Sequence, residues 1–194
     1  MKKLYCFDFD GTLTTKDTMF LFLKFYHRGR FYVQFLKHLP LFILLKLKLL
    51  EAESVKRSLV SGVLKGEKKE VLEKKAQAFF TKYYPAIFRK NALDFIANID
   101  SDTESYIVTA SLDIWVRPFA EQFRMKLIAT EAEFKNGVFT GNFVTKNCNG
   151  IEKVNRIQQE IKGLKYDKII AFGDTYGDRA MLSFANEGHF KFFH

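Results

Sequence analysis

The chain has 194 residues, 47% of them hydrophobic and 27% charged, and a formal net charge of +9. That length allows one core domain with a modest insertion, and that balance excludes a disordered or low-complexity chain. Two cysteines, Cys6 and Cys148, cannot build a disulfide framework, and three prolines leave no Pro-rich linker.

Met1-Lys2-Lys3 runs directly into an apolar segment that carries Asp8 and Asp10. An apolar signal-peptide region does not hold two carboxylates, so the expected location is cytoplasmic. Lys3–Phe9 predicts a buried strand ended by the Asp10-Gly11 turn. Thr18–Tyr26 predicts a helix stopped at Arg28-Gly29-Arg30. Phe31–Leu50 is helical by length, with Pro40 as a break or as the first turn of a second helix. Ala52–Leu64 and Glu67–Tyr83 predict two amphipathic helices split at Gly66, and Pro85 marks a boundary.

From there strands and helices alternate. Arg89–Asn98 predicts a helix, Ser105–Thr109 a strand, Ile114–Phe123 a helix and Lys126–Thr130 a short strand. Asn136-Gly137 within Phe134–Val144 is a two-residue hairpin signal. Glu152–Ile161 predicts a helix, Lys168–Gly173 a strand and Asp178–Phe184 a helix. The expected fold is therefore α/β: a Rossmann-like, mostly parallel sheet with helices on both faces, plus a small all-helical cap inserted after the first strand. The expected division is a catalytic core of residues 1–17 and 85–194 and a cap of residues 18–84.

Acidic residues gather where strands end. Asp8 and Asp10 end the first strand, and open α/β sheets bind ligands at that edge. Alone, the pair also suits a surface turn. The apolar run Ile169–Phe172 ends in Gly173-Asp174, with Asp178 four residues on. Two strands thus bring four carboxylates to one edge, where their repulsion asks for a hard divalent cation such as Mg²⁺. Asp178 also suits a helix start by the macrodipole. Val108-Thr109-Ala110-Ser111 puts a hydroxyl ahead of free backbone N–H groups, an anion cradle; plain capping by Ser111 or Asp113 is compatible with it. Lys153 begins a helix, where a cation is unfavourable unless a ligand's charge offsets it.

Asp8-Phe9-Asp10-Gly11-Thr12-Leu13-Thr14, then Val-Thr-Ala-Ser, Gly-Ile-Glu-Lys and Gly-Asp-(three residues)-Asp together resemble the four ordered motifs of the haloacid dehalogenase-like superfamily, from Leu4 to Leu182. Residues 129–141 are similar to the characteristic hairpin of its phosphoserine-phosphatase-like branch, subfamily IB. The resemblance implies a Mg²⁺-dependent phosphatase. Asp8 would be the nucleophile that becomes an aspartyl-phosphate, and Asp10 the general acid and base. Thr109, the Ala110 N–H and Lys153 would bind the phosphoryl group. The Asp8 side chain, the Asp10 carbonyl and Asp174 would hold the metal, and Asp178 would orient its waters or Lys153. Asp17 matches a position that carries a substrate-sensing Glu in phosphoserine phosphatases. Gly177 stands where those enzymes have Asn or Ser, and the cap is more basic and more aromatic than theirs.

No Asp or Glu lies between Asp17 and Glu51, an interval that holds six Lys and Arg and eight aromatics. Its longest uncharged apolar run, Leu39–Leu45, is too short to span a bilayer. Three roles fit it: packing within the cap, contact with an anionic membrane as a peripheral protein at the inner surface, or an oligomer interface. No nucleic-acid motif accompanies the charge, so nucleic acid is not an expected partner. The expected substrate is a small phosphomonoester. A lipid phosphate of the phosphatidylglycerophosphate type at a membrane surface, and a catalytically silent binding module of the same fold, are the alternatives.

Overall fold

The structure is a computed structural model and describes residues 2–47, 52–100 and 103–194. Strand β1 (Lys3–Phe7) opens the chain and buries Leu4, Cys6 and Phe7 completely. A tight loop, Phe9–Leu13, follows, and Gly11 takes φ +87° within it. Four helices come next: α1 (Thr18–Tyr26), α2 (Arg28–Lys46), α3 (Ala52–Leu64) and α4 (Lys69–Tyr83). Helix α5 (Lys90–Ala97) leads into β2 (Glu104–Leu112), α6 (Asp113–Gln122) and β3 (Lys126–Thr130). The hairpin β4 (Ala132–Lys135) and β5 (Val138–Phe143) turns at Asn136-Gly137, both in the left-handed region. The chain ends with α7 (Ile151–Glu160), β6 (Lys168–Gly173), α8 (Arg179–Phe184) and β7 (Glu187–Phe190).

Five strands form one sheet in the order β3-β2-β1-β6-β7, every neighbouring pair parallel. The strand order reverses at β1, and this places the C-terminal ends of β1, β2 and β6 beside one another. The α/β expectation holds. β7 has no counterpart in the sequence reading, because Glu187-Gly188-His189-Phe190 is short, half-polar and shows no alternation.

The helices between β1 and β2 do not enclose a core of their own. Phe22 of α1 and Phe79 of α4 pack in one cluster with Phe9, Trp115 and Phe119; the Phe22 and Trp115 rings stack at 5.2 Å. The hairpin joins the same mass, since Phe139 N donates to Glu67 O and Gly66 N to Phe139 O.

Two local expectations are corrected. The break before α2 falls at His27, whose extended backbone lets Nδ1 accept from Arg30 N at 3.1 Å. Arg28-Gly29-Arg30 is thus the first turn of α2. Pro40 lies inside that helix without interrupting it. Proline removes one backbone bond. Tertiary contacts carry the helix through: Phe31 is buried, and the buried His38 ring bonds Gln34 O at 2.7 Å and Ser58 Oγ at 2.9 Å. The end of the expected helix, residues 48–50, lies outside the described residues. Cys148, between the polar Asn147 and Asn149, is fully buried, and both cysteines are free thiols.

Candidate active site

The sheet edge where β1, β2 and β6 end carries a buried charge cluster. Lys153, 1% exposed, reaches from the first turn of α7 across the strand ends. Its Nζ donates to Asp8 Oδ1 at 2.6 Å, to Asp178 Oδ1 at 2.6 Å and to Val108 O at 2.8 Å. All three ammonium protons are therefore matched. Burial works against the ammonium, but Asp8 and Asp178 outweigh it and hold Lys153 above the usual lysine range. Burial likewise pushes the Asp8 carboxyl up to about 7, with Lys153 opposing it.

Asp178 is the brace of the cluster. Its Oδ1 holds Lys153, and its Oδ2 accepts from Asp174 N at 3.2 Å, Thr175 N at 2.9 Å and Thr175 Oγ1 at 2.8 Å. It is 1% exposed, and although burial acts to raise its carboxyl, Lys153 and Thr175 hold it below the usual carboxylate range. Through these bonds Asp178 positions Lys153 and the loop after β6.

Asp8, Asp174 and Asp178 each offer a carboxylate oxygen, and the three oxygens lie within 4.8 Å of one another. Thr12 Oγ1 ties two of these residues together, 2.9 Å from Asp8 Oδ2 and 3.1 Å from Asp174 Oδ1. Hard oxygen donors at this spacing fit Mg²⁺. The loop is built around them: a Cβ on Gly11 would stand 2.5 Å from Asp174 Oδ2. Asp10 contributes no side-chain oxygen to this group, which leaves its main-chain carbonyl as the donor it has to offer.

The Asp10 carboxylate turns toward the cap. Oδ1 accepts from Thr18 N and Thr18 Oγ1, both at 2.6 Å, and Oδ2 from Ser111 Oγ at 2.6 Å. Trp115 Nε1 donates to Thr18 Oγ1 at 3.2 Å. Thr109 is 1% exposed, and its Oγ1 accepts from Ser111 N at 3.0 Å, with no acceptor for its own proton among the described residues. Asp17 caps α1, accepting from Phe20 N at 3.2 Å; surrounding protein, then the Asp10 charge, raise its carboxyl.

These residues face one cleft of about 430 Å³. It brings Asp8, Asp10, Asp17, Thr109, Ala110, Lys153 and Asp178 together, with Met19, Phe20, Leu45, Val55 and Leu59 forming an apolar outer wall. Asp174 does not line it, but is tied to Asp8 through Thr12.

Sequence reasoning missed Lys56 of α3. Its ammonium bonds Ala110 O and lies 3.2 Å from Asn147 Oδ1. Burial pushes it down to about 8, opposed by the charges of Asp10, Asp17, Cys148 and Glu53. No ion pair satisfies it among the described residues, so a half-buried cation faces the cleft. One lysine on an amphipathic helix gives no signal of this. The sequence reading did not single out Thr12 either, whose bridging of Asp8 and Asp174 needs the fold.

The comparisons place this site in a family. The sequence profile of haloacid dehalogenase-like hydrolases matches residues 6–183, and the chain belongs to that family. It is 33% identical over 193 residues to Protein CicA of Caulobacter vibrioides, covering 98% of this chain and 86% of that protein. Among solved structures, a protein of unknown function from Bordetella pertussis Tohama I superposes with a TM-score of 0.81 at 21% identity, over 95% of this chain and 87% of that one. A substrate-bound phosphoserine phosphatase superposes with a TM-score of 0.65 at 21% identity, over 95% and 83%. A phospho-aspartyl intermediate analogue of phosphoserine phosphatase gives 0.61 at 23% identity, over the same shares. These likenesses establish the fold.

Proposed function

We propose that the protein is a Mg²⁺-dependent phosphomonoester hydrolase that works through an aspartyl-phosphate on Asp8. The observation that carries this reading is Lys153, bonded at 2.6 Å to Asp8 and Asp178, two of three converging carboxylates. A buried cation beside a carboxylate nucleophile lowers the cost of bringing that nucleophile to an anionic phosphoryl group. Asp8, Asp174 and the Asp10 carbonyl would hold the Mg²⁺, which would supply further neutralisation of phosphoryl charge.

Asp8 attacks phosphorus, and the bond to the leaving oxygen breaks as Asp10 gives that oxygen a proton. Water then attacks the aspartyl-phosphate while Asp10 takes its proton back, and inorganic phosphate leaves. Thr18 and Ser111 fix the Asp10 carboxyl for both steps. Thr109, the Ala110 N–H and Lys153 bind the phosphoryl oxygens. The remainder of the substrate, a small phosphorylated molecule or a lipid phosphate, meets Asp17, the apolar wall and Lys56. An ammonium that makes no ion pair among the described residues, in that position, favours a substrate with a second negative group.

The test is turnover of p-nitrophenyl phosphate with and without Mg²⁺. Asp8→Asn should abolish it, and acid quenching of the wild type should trap phosphate on the protein. Undiminished turnover in Asp8→Asn would sink the reading.

A further inference from the structure

Helix α2 carries an apolar face that no described part of the chain covers. At 100° per residue, Tyr32, Val33, Leu36, Leu39, Ile43 and Leu47 fall within one third of the helix circumference. They are 40%, 53%, 62%, 42%, 62% and 63% exposed. The opposite side packs inward through Phe31 and His38, both 6% exposed. A helix apolar on both sides belongs in an interior, and a continuous exposed patch of this kind marks an interaction surface.

The rim of the patch selects the partner. Arg28 stands at one margin and Lys37 at the other, both exposed. The Arg28 guanidinium lies 6.0 Å and the Lys24 ammonium 5.6 Å from the centre of the Tyr32 ring. No carboxylate occurs anywhere between Asp17 and Glu51. Apolar side chains flanked by cations, with an aromatic ring at the margin, match an anionic lipid surface: hydrocarbon at the centre and headgroup charge at the edges. A protein partner needs no such one-signed border. No described helix is long and apolar enough to cross a membrane.

We propose that the exposed face of α2 docks the protein on the surface of an anionic bilayer, the helix lying in the interface plane. Leu45, on the inward side of the same helix, lines the cleft. Cleft wall and docking face are thus the two sides of one helix, about 10–12 Å apart. The docking surface stands without the phosphatase reading. Together with it, α2 brings the cleft within one helix diameter of the headgroup layer, where phosphate esters of lipids reside.

The experiment is co-sedimentation of the full chain, in EDTA so that no turnover enters, with vesicles of phosphatidylcholine containing about 30% phosphatidylglycerol or none. Wild type should pellet with the anionic vesicles, less so at high salt, and weakly with pure phosphatidylcholine. Leu36→Glu/Ile43→Glu should lower partitioning by about tenfold or more, since two charges enter the apolar face, while p-nitrophenyl phosphate turnover stays within about twofold. Should that variant fail to fold, Arg28→Glu/Lys37→Glu decides: it should lose the preference for anionic vesicles. Wild type that stays in the supernatant overturns the proposal, as does vesicle binding unchanged in either variant. A wild-type dimer that Leu36→Glu/Ile43→Glu dissociates, with no vesicle binding, overturns it too, because a second copy then covers the face.

Discussion

Lys153→Met separates the charge of Lys153 from its bulk. Methionine fills the same channel but donates nothing, so Asp8, Asp178 and Val108 O lose bonds of 2.6, 2.6 and 2.8 Å. The Asp8 and Asp178 side chains are 9% and 1% exposed, so water cannot replace the ammonium. Breaking a buried ion pair from one side costs about 3–5 kcal/mol. In a chain of this size that corresponds to a fall in melting temperature of roughly 10 °C. Turnover should fall by about 10²–10³, the typical cost of removing one group aimed at transition-state charge. The assay is thermal unfolding by circular dichroism in EDTA at pH 8, above the value of about 7 to which burial raises Asp8, with turnover measured separately in Mg²⁺. Asp178→Asn in the same background sharpens it. Removing one of the two stranded carboxylates should make the double variant less destabilised than the two single changes added together, by about 1–3 kcal/mol. A Lys153→Met protein that melts within about 2 °C of wild type, or strict additivity in the cycle, would refute the claim that this ammonium carries the electrostatic load of the site.

Gly11→Ala should damage the metal site from the backbone side. Its φ of +87° costs a Cβ about 1–2 kcal/mol, and that Cβ would stand 2.5 Å from Asp174 Oδ2. The Mg²⁺ concentration for half-maximal turnover should rise by about 10–100-fold; an unchanged Mg²⁺ titration would show that Asp174 is not a ligand. Lys56→Gln should raise KM for a substrate with a second negative group by about tenfold or more, the worth of a hydrogen bond to a charged group. Because Lys56 is pushed down to about 8, wild-type kcat/KM for such a substrate should fall as pH rises through 8 and the ammonium loses its proton. The variant should lack that limb, and a profile that keeps it would assign the limb elsewhere.

The parts of the site that a sequence shows are those that sit at strand ends. Asp8, Thr109 and Asp174 follow buried runs whose apolar pattern is unambiguous, so their convergence follows from a parallel sheet. Lys153 was legible as an anomaly, a cation in the first turn of a helix. What stayed hidden depends on how the inserted helices sit on the sheet. Thr18 opens a helix and carries no chemical mark, yet its N–H and hydroxyl both hold Asp10. Lys56 is one of 31 Lys and Arg residues, and only the packing of α3 against the hairpin aims it at Ala110. β7 was not read at all, and the continuity of α2 through Pro40 was misread, because tertiary contacts outweigh the local signal there.

The insertion therefore does more than cover the cleft. Asp10 follows Asp8, the proposed nucleophile, by two residues, but its carboxylate is oriented by the first residue of α1, and that residue is pinned in turn by Trp115 of α6. Phe22, one turn along α1, stacks on the same indole at 5.2 Å. Any shift of α1 relative to the sheet must move Thr18 and so re-aim the Asp10 carboxyl. Leu45 of α2 and Phe20 of α1 are both on the cleft wall, and α1 is also the helix whose first residue holds Asp10. On the proposed mechanism, recognition and proton transfer are thus mechanically one assembly, and a substrate that seats poorly against α1 and α2 would misplace Asp10 as well as itself.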